Sequence, residues 1–401
     1  MAHRRLHLLI ATLLVAAHAF AQTPEYRKIH FGAIVVDTHN DAAQRLINGE
    51  DISFRTRTGH SDLPRFEEGG VDVEIFSIWV PPEKTATSYY AQANEQIDSV
   101  LGFVNRNPSR VLLARSSGDI ERSVAEQKLA AMMGMEGGHP LEDNLENLGY
   151  FYGRGVRYMT LTWNNSTSWA TSAKDESDPE TTLARKGLTK KGLTEKGREV
   201  VRTMNALGMI VDVSHAGEQT FWDVIRTTTR PVIASHSSVW NLCPHRRNLK
   251  DDQLKAIAKN GGVVFINFAP FFIDSTFAAK DERMRTLRRR EIDSLERSLT
   301  GDEYTKENAI SRYLAADYLP IRPALSVLVD HFDYVAKLIG ADHVGIGSDF
   351  DGINVTPLGM DDVTYLPGLT RELLARGYGD SDVRKILGGN FLRVLKEVEK
   401  R

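Results

Sequence analysis

Cysteine is nearly absent from this sequence. Cys243 is the one cysteine among 401 residues. A single cysteine excludes a disulfide within the chain, a CxxC redox site and a zinc site built on cysteine. Any metal ion must therefore be held by histidine, aspartate and glutamate side chains.

An excess of positive charge is also missing. The chain has 50 Lys and Arg residues against 53 Asp and Glu residues, a formal net charge of −3. This balance gives no general basic surface, so we expect no nucleic-acid partner. The motifs HExxH, GxxxxGK[ST] and GxSxG are absent, and no GxGxxG follows a predicted strand.

The sequence has no apolar run long enough for a membrane span. Near the N-terminus, residues 8–17 form an apolar stretch that is about half of the roughly 20 residues that a span needs. Arg4 and Arg5 precede it, and the small-residue pattern Ala19-Phe20-Ala21 follows it. This pattern predicts a cleaved signal peptide over residues 1–21, and hence a periplasmic or secreted mature protein without a stable membrane anchor.

Short apolar runs that are rich in β-branched residues alternate with helical patterns along the mature chain. Helical spacing of apolar residues occurs over 88–105, 193–207, 219–227, 251–259 and 324–339. The strand candidates are residues 33–36, 71–80, 129–135, 156–163, 209–213, 231–234, 262–268 and 343–347. Strands separated by helices indicate parallel βαβ units, and eight of them predict an α/β protein with a (β/α)8 TIM-like barrel. A doubly wound sheet with an accessory domain is the alternative fold.

Two segments interrupt the alternation of strands and helices. Residues 164–191 are polar and read as a long loop after the fourth strand. Residues 274–318 are highly charged and predict an inserted helical pair between the seventh and eighth strands, with Arg288, Arg289 and Arg290 on a solvated face. We therefore expect a single barrel domain over 22–401 that carries one charged helical insertion.

Histidine and carboxylate side chains follow several of the predicted strands. Alone, each is as consistent with a helix cap or a structural hydrogen bond as with a ligand. Together they would lie at the C-terminal ends of the strands, where barrel enzymes place their active sites. The set suits zinc-like ions, and its size suits two metals that share one bridging carboxylate. Its members are His39, Asp41, Glu136, His215, His236 and Asp349.

The motifs around these residues resemble those of the membrane dipeptidase (renal dipeptidase) family, a branch of the amidohydrolase superfamily. They are HND at 39–41, EGG at 136–138, GVRYMTLTW at 155–163, VDVSH at 211–215, SHSS at 235–238, RRN at 246–248 and GSDFDG at 347–352. The resemblance covers nearly the whole mature chain. It implies a metallo-dipeptidase that acts on dipeptides and forms a homodimer.

The resemblance also implies a role for each ligand. His39 and Asp41 would hold one zinc ion, His215 and His236 would hold a second, and Glu136 would bridge the two. This assignment agrees with the ligand types that the sequence offers.

Further residues receive roles from the same resemblance. Asp349 matches the carboxylate that transfers protons, and Arg247 matches the arginine that binds the terminal carboxylate of the substrate, a role that a forked guanidinium suits. Trp163 stands where the animal enzymes have a substrate-contacting histidine, so Asn164 is a candidate for the missing hydrogen-bond donor. Cys243 matches a cysteine of a family disulfide whose partner is absent here.

The function predicted from the sequence is zinc-dependent hydrolysis of dipeptides that have a free C-terminal carboxylate, including those with a D-residue in second position. Two alternatives remain open. One is another amidohydrolase reaction, such as deacylation of N-acyl amino acids, on the same metal site. The other is an exported metal-binding protein without catalysis, against which the proton carrier Asp349 argues.

Overall fold

The structure is a computed structural model that describes residues 23–81, 87–177, 190–300 and 303–400. The predicted signal peptide lies outside the described residues, as does part of the predicted loop over 164–191. No helix in the part of the chain that the structure describes is long and apolar enough to cross a membrane.

Parallel strands form the centre of the molecule. Within the described residues they are β1 (Val36–Asn40), β2 (Val73–Trp79), β3 (Val111–Leu113), β4 (Leu129–Glu136), β5 (Val156–Thr160), β6 (Ile210–Asp212), β7 (Ile233–Ala234), β8 (Val263–Ile266) and β9 (Val344–Ile346). All pairings between them are parallel, in the order β2-β1-β9-β8-β7-β6-β5-β4. Because β2 also pairs with β4, these eight strands close into a barrel, which confirms the predicted fold.

The ninth strand, β3, was not predicted from the sequence. It spans three residues and pairs with β4 alone, from Val111 opposite Leu129 to Leu113 opposite Ala131. A run this short carries too little periodicity to be recognised. It lies beside the barrel rather than in its wall.

Helices surround the barrel. In the described residues they are α1 (Glu25–Phe31), α2 (Ala42–Ile47), α3 (Leu63–Gly69), α4 (Tyr89–Arg106), α5 (Ser117–Ala125), α6 (Glu146–Arg154), α7 (Ala173–Glu176), α8 (Glu195–Leu207), α9 (Glu218–Thr227), α10 (Asp251–Asn260), α11 (Pro270–Ile273), α12 (Phe277–Leu287), α13 (Arg289–Ser298), α14 (Glu303–Tyr313), α15 (Ala315–Tyr318), α16 (Leu325–Ile339), α17 (Leu366–Ala375), α18 (Asp380–Arg384) and α19 (Asn390–Glu399). Their ends follow ordinary capping rules. For example, α8 begins where the Thr194 side chain accepts a hydrogen bond from the Gly197 N–H, and it ends at Gly208 in the left-handed region.

The barrel interior and the layer between barrel and helices form separate apolar cores. The interior core includes Ile75, Tyr158 and Phe265, all fully or almost fully buried. Gly134 leaves the space that the Tyr158 ring occupies, since a Cβ at Gly134 would overlap that ring. This packing fixes Tyr158 inside the barrel, below the strand ends.

The charged segment 274–318 folds as four helices, α12 to α15, rather than as the predicted pair. It has a small apolar cluster of its own, which includes Phe277, Met284 and Tyr318 and reaches Val355 on the loop after β9. Arg288 and Arg289 are ion-paired with Asp317 and Asp293 on its surface. The arginine run therefore lies on a solvated face, as the sequence indicated.

Candidate metal centre and active site

The predicted ligands converge at the C-terminal mouth of the barrel. They come from strands spread around the barrel, so their meeting depends on its closure. His39 lies in β1, Asp41 follows β1, Glu136 ends β4, and His215, His236 and Asp349 follow β6, β7 and β9. Two groups, His39–Glu136–His236 and His39–Asp41–Asp349, each bring their ligand atoms within 4.8 Å of one another.

Glu136 lies at the centre of this cluster, and its two oxygens face different partners. Its Oε1 lies 3.0 Å from Nε2 of His215 and 3.4 Å from Nε2 of His236. Its Oε2 lies 3.5 Å from Nε2 of His39. The same Nε2 lies 3.7 Å from Oδ2 of Asp41. One carboxylate thus connects two sets of side chains.

Hydrogen bonds at Nδ1 set the tautomer of all three histidines. Each Nδ1–H faces an oxygen that accepts it, which leaves Nε2 with a free lone pair directed into the cluster. The acceptors are the Tyr158 hydroxyl for His39 at 2.9 Å, Asn164 Oδ1 for His215 at 3.1 Å, and the Ser235 hydroxyl for His236 at 2.8 Å. The two hydroxyls accept because each donates its own proton onward, Tyr158 to the Thr38 carbonyl and Ser235 to Asp212.

The arrangement of these lone pairs fits a cation. The Nε2 atoms of His215 and His236 are 3.0 Å apart, and both act as acceptors in this tautomer. Nε2 of His39 is buried and has no hydrogen-bond partner. Buried polar atoms normally have partners, so a group of facing acceptors without donors indicates a place for a positively charged species.

The pKa shifts of the cluster agree with this interpretation. Burial lowers the pKa of His39, but Glu136, Asp41 and Asp349 outweigh burial and raise its pKa to about 10. Burial and the nearby Arg247 lower the pKa of His215 to about 3, so its imidazole is neutral at ordinary pH. The carboxylates therefore favour a positive charge within the cluster beside His39. Either a proton or a metal cation can supply this charge.

Backbone conformation is unusual at two members of the cluster. His215 and Asp349 have φ values of 62° and 63°, in the left-handed region. Non-glycine residues rarely adopt this conformation, and surrounding structure must hold them in it. In both residues the conformation accompanies a side chain that lines the cavity described below.

Asp349 is held by a partner that the sequence analysis did not identify. Asn267, which follows β8 and is fully buried, donates from Nδ2 to Oδ2 of Asp349 over 2.8 Å. Burial raises the pKa of Asp349, and His39, Asn267 and Arg247 partly oppose this shift. An acid with a raised pKa that borders the candidate ligands is suited to proton transfer.

Arg247 lies beside the cluster with donors to spare. Its Nη2 donates to the His236 carbonyl over 3.2 Å, whereas its Nε and Nη1 are buried and have no partner. Burial lowers the pKa of Arg247 to about 10, so the guanidinium stays charged at neutral pH. A buried charge with two free donors is an anion-binding group that faces the cavity.

A cavity of about 560 Å³ opens above the cluster. Trp163 and Asn164 line it, as predicted for substrate-contacting residues, and Trp163 packs edge-on against Trp79 with ring centroids 5.1 Å apart. The Oδ1 of Asn164 is engaged by His215, so this side chain also positions a candidate ligand.

Other lining residues were not found from the sequence. Four of them come from the charged insertion: Arg285, Glu307, Ser311 and Tyr318. Residues that orient the cluster but do not line the cavity were also missed. Asn267 could have been found by its place directly after a strand. Motifs whose other members were assigned also contain Tyr158, Asp212 and Ser235. The insertion residues carry no such signal, because only the folded structure turns them towards the cavity.

Comparison with known proteins gives consistent matches. A sequence model of the family described as membrane dipeptidase (peptidase family M19) matches residues 24–401. Dipeptidase 3 of Rattus norvegicus is 31% identical over 372 residues, which is 91% of this chain and 65% of that protein. The chain thus spans slightly less than two thirds of the length of this curated relative.

Two solved structures resemble the fold closely. The probable dipeptidase PvdM from Pseudomonas aeruginosa has a TM-score of 0.77 at 28% identity, over 94% of this chain and 98% of that one. A metallopeptidase from Rhodobacter sphaeroides, liganded with a phosphinate mimic of the dipeptide L-Ala-D-Ala, has a TM-score of 0.72 at 26% identity, over 91% of this chain and 99% of that one.

Proposed function

Because this chain belongs to the membrane dipeptidase family, peptidase family M19, we propose that it hydrolyses dipeptides with a free C-terminal carboxylate at a centre of two zinc ions. The observation that carries the proposal is the position of Glu136 between two sets of ligands, with one oxygen towards His215 and His236 and the other towards His39. A carboxylate in this position can contact two metal ions at once, which suits a two-metal hydrolase.

The ligands divide into two sets under this proposal. His39 and Asp41 would hold one ion, His215 and His236 would hold the other, and Glu136 would contact both. Zinc is proposed because nitrogen and carboxylate ligands suit it and the chain offers no thiolate here. When bound, the metals would supply an activated water and polarise the scissile carbonyl.

Arg247 would bind and orient the substrate. Its Nε and Nη1 have no partner in the structure and are available to donate to a terminal carboxylate, and its position beside His236 puts that carboxylate next to the candidate ligands. A substrate held in this way presents the amide one residue away from its carboxylate. This restriction favours dipeptides over longer peptides at the C-terminal side.

Asp349 would move the proton. Asn267 occupies its Oδ2, which leaves Oδ1 to accept a proton from the attacking water and to deliver it to the nitrogen of the leaving amine. Burial raises the pKa of Asp349, which favours a carboxyl group that holds the proton between these two transfers. A protein that only bound metal would have no use for this pair, which speaks against the non-catalytic alternative.

A D-residue in second position is part of the proposal. The support is the phosphinate mimic of L-Ala-D-Ala in the Rhodobacter sphaeroides metallopeptidase, whose fold this chain shares.

Deacylation of N-acyl amino acids is the second candidate function. The Trp79–Trp163 pair in the cavity favours it, because two indole rings offer an apolar wall to an acyl chain.

The test combines metal analysis with kinetics on matched substrates. Purified protein should contain close to two zinc ions per chain, and it should hydrolyse L-Ala-D-Ala much faster than the C-terminal amide of L-Ala-D-Ala or N-acetyl-D-Ala. Arg247→Ala should lose on the order of tenfold to a hundredfold in kcat/KM for the free dipeptide, mainly through KM. The same variant should change little for the amide.

Faster turnover of N-acetyl-D-Ala than of the dipeptide would replace the proposal with the deacylase. Equal effects of Arg247→Ala on dipeptide and amide would make Arg247 a structural residue.

Export through a cleaved signal peptide over residues 1–21 and assembly as a homodimer belong to the same proposal. They are tested by N-terminal sequencing of the exported protein and by analytical ultracentrifugation.

A further inference from the structure

A second cavity adjoins the one above the metal centre. Its volume is about 450 Å³, and six residues line both cavities: Gln44, Ser311, Tyr318, Ile353, Asn354 and Val355. Two of these come from the charged insertion, and three come from the loop after β9. The space beside the candidate ligands is therefore larger than the first cavity alone.

The second cavity lies on the side that the amino end of a substrate would face. Arg247 contacts the His236 carbonyl and lines the first cavity only. Gln44 lies in α2, which begins directly after Asp41, and it lines both cavities. A dipeptide with its carboxylate at Arg247 thus extends its first residue towards Gln44 and the second cavity.

The volumes exceed what a small dipeptide needs. Cavities of about 300–1,000 Å³ enclose ligands of drug size. The first cavity alone, at about 560 Å³, is within this range, and L-Ala-D-Ala is considerably smaller than such ligands. The additional space is on the amino side of the scissile bond.

The charges of the second cavity indicate what would fill it. Arg45 is paired with Glu50 and Asp351, and Arg322 is paired with Asp361. Arg312 also lines the cavity, and among the described residues it has no ion pair. The three arginines of the lining face three carboxylates, and Arg312 acts on the Glu50 carboxylate only at longer range. Its guanidinium therefore makes no close ion pair within the described part of the chain and can bind an anionic group of a ligand.

We propose that the second cavity binds a carboxylate-bearing extension on the first residue of the substrate, either an acyl group on its amine or its side chain. This inference rests on the proposed function and specifies its substrate class. The reaction is unchanged: the amide C–N bond breaks, and water supplies a hydroxyl to the carbonyl carbon and a proton to the leaving amine. Only the recognised part of the substrate is larger.

The experiment compares three substrates on the metal-loaded enzyme: L-Ala-D-Ala, N-succinyl-L-Ala-D-Ala and L-Glu-D-Ala. The last two place a carboxylate on the amine and on the side chain, so they distinguish the two sources of the extension. At least one should exceed L-Ala-D-Ala in kcat/KM by on the order of tenfold, the usual size of an added pocket contact.

Two variants locate the effect. Ala315 is exposed and lines the second cavity only, so Ala315→Trp should fill that cavity and remove the advantage of the extended substrate. Ala316, the next residue of the same helix, is equally exposed and lines neither cavity, so Ala316→Trp is the matched control. Arg312→Ala should lower kcat/KM for the carboxylate-bearing substrate and leave its methyl ester unchanged.

Hydrolysis of L-Ala-D-Ala without any gain from either extension would overturn the inference and leave the proposed function intact. An equal loss for all three substrates in Ala315→Trp would overturn it too, since the cavity would then support the fold rather than bind substrate. Failure of the metal-loaded wild type on all three substrates would overturn the proposed function, and this inference with it.

Discussion

Two aspartates in one turn show how differently the same side chain can be used. Asp349 lines the cavity and accepts a hydrogen bond from Asn267. Asp351, two residues later, is turned away and bonds to Arg45, Ser61 and the backbone N–H of His60. The first side chain faces the cavity and the candidate ligands, whereas the second ties the turn to the loop that follows α2.

At the residue scale we predict that Asp349→Asn retains its metal and its KM but loses kcat on the order of 10²–10⁴-fold. The amide keeps the shape of the carboxyl group and tolerates the left-handed backbone, but it cannot accept the proton. Metal analysis and steady-state kinetics on a dipeptide check this expectation. A variant that has lost its metals would instead identify Asp349 as a ligand.

Asp351→Asn is the control for this prediction. Because Asp351 is ion-paired with Arg45 and is buried, its replacement should lower the melting temperature and leave kcat nearly unchanged. A large fall in kcat at position 351 with normal activity at position 349 would reverse the two assignments.

The sequence was sufficient to select the candidate ligands that the structure brings together, but not the groups that orient them. His39, Asp41, Glu136, His215 and His236 could be selected because each lies at the end of a predicted strand. The partners of His39 and His215 come from or follow another strand: Tyr158 holds His39 across the barrel, 119 positions away in the chain, and Asn164 holds His215. Such contacts depend on the register between strands and on the space that Gly134 provides, which no local pattern encodes.

At the scale of elements, the turn after β9 approaches the ligands more closely than any side chain would allow. A Cβ at Gly352 would overlap the carboxylate oxygens of Asp41 and Asp349. Glycine is therefore required here for space, since the backbone passes directly over two acidic groups.

We predict that Gly352→Ala lowers metal occupancy and reduces kcat/KM on the order of a hundredfold, the cost of displacing reacting groups by about 1 Å. Gly153→Ala in α6 is the control, because nothing lies within 4 Å of a Cβ added there. Metal content and kcat/KM of both variants are the readouts. Full metal occupancy and normal turnover in Gly352→Ala would show that the turn can move aside.

His331 connects three elements. Its Nε2 donates to the Ile273 carbonyl at the end of α11 over 3.0 Å, and its Nδ1 accepts from the Val239 N–H after β7 over 3.1 Å. The ring lies on α16 and is fully buried. Protonation at Nδ1 would place a second N–H donor against the Val239 N–H and break that hydrogen bond. Burial lowers the pKa of His331 to about 4.

This histidine should make the fold sensitive to acid. Its unfolded pKa of about 6.5 lies above its folded value, so the unfolded chain binds more protons and stability falls as the pH drops from about 6.5 towards 4. Between pH 7 and 5 we expect a loss of about 2 kcal/mol from His331. Urea unfolding in the presence of a chelator should show a smaller loss for His331→Gln, and parallel losses would contradict the assignment.

Strands and helices were predicted well because their periodicity is local. The strand runs and the five helical patterns all correspond to elements of the structure, whereas β3 and the division of segment 274–318 into four helices do not follow from the sequence. Residues 274–318 have the composition of a solvated surface. That Arg285 and Tyr318 turn towards the cavity depends on how these helices fold back over the barrel mouth.

At the scale of the whole molecule, the metal centre connects distant parts of the barrel wall. The candidate ligands lie in or directly after β1, β4, β6 and β7, so a metal ion bound by them would stabilise the folded barrel and not the unfolded chain. Zinc at a hundredfold excess over its dissociation constant would add about 2.7 kcal/mol to the free energy of unfolding.

We therefore predict that a chelator lowers the melting temperature of the wild type by several degrees, and that Glu136→Ala abolishes most of this difference. The alanine variant lacks the carboxylate that faces both sets of ligands, so it should bind little metal. Differential scanning calorimetry with and without chelator measures both effects. A chelator-dependent shift of the same size in the two proteins would place the stabilising ion elsewhere.

The closure of the barrel by the pairing of β9 with β1 has a consequence for biogenesis. The first ligands emerge early in synthesis, but β9, Asp349 and the turn that covers Asp41 come only near the end of the chain. No partial product can assemble the complete pocket, so maturation of the centre must wait until translation has passed this last strand. If the chain is exported unfolded, as proposed above, the destination compartment rather than the site of synthesis would determine which metal it acquires.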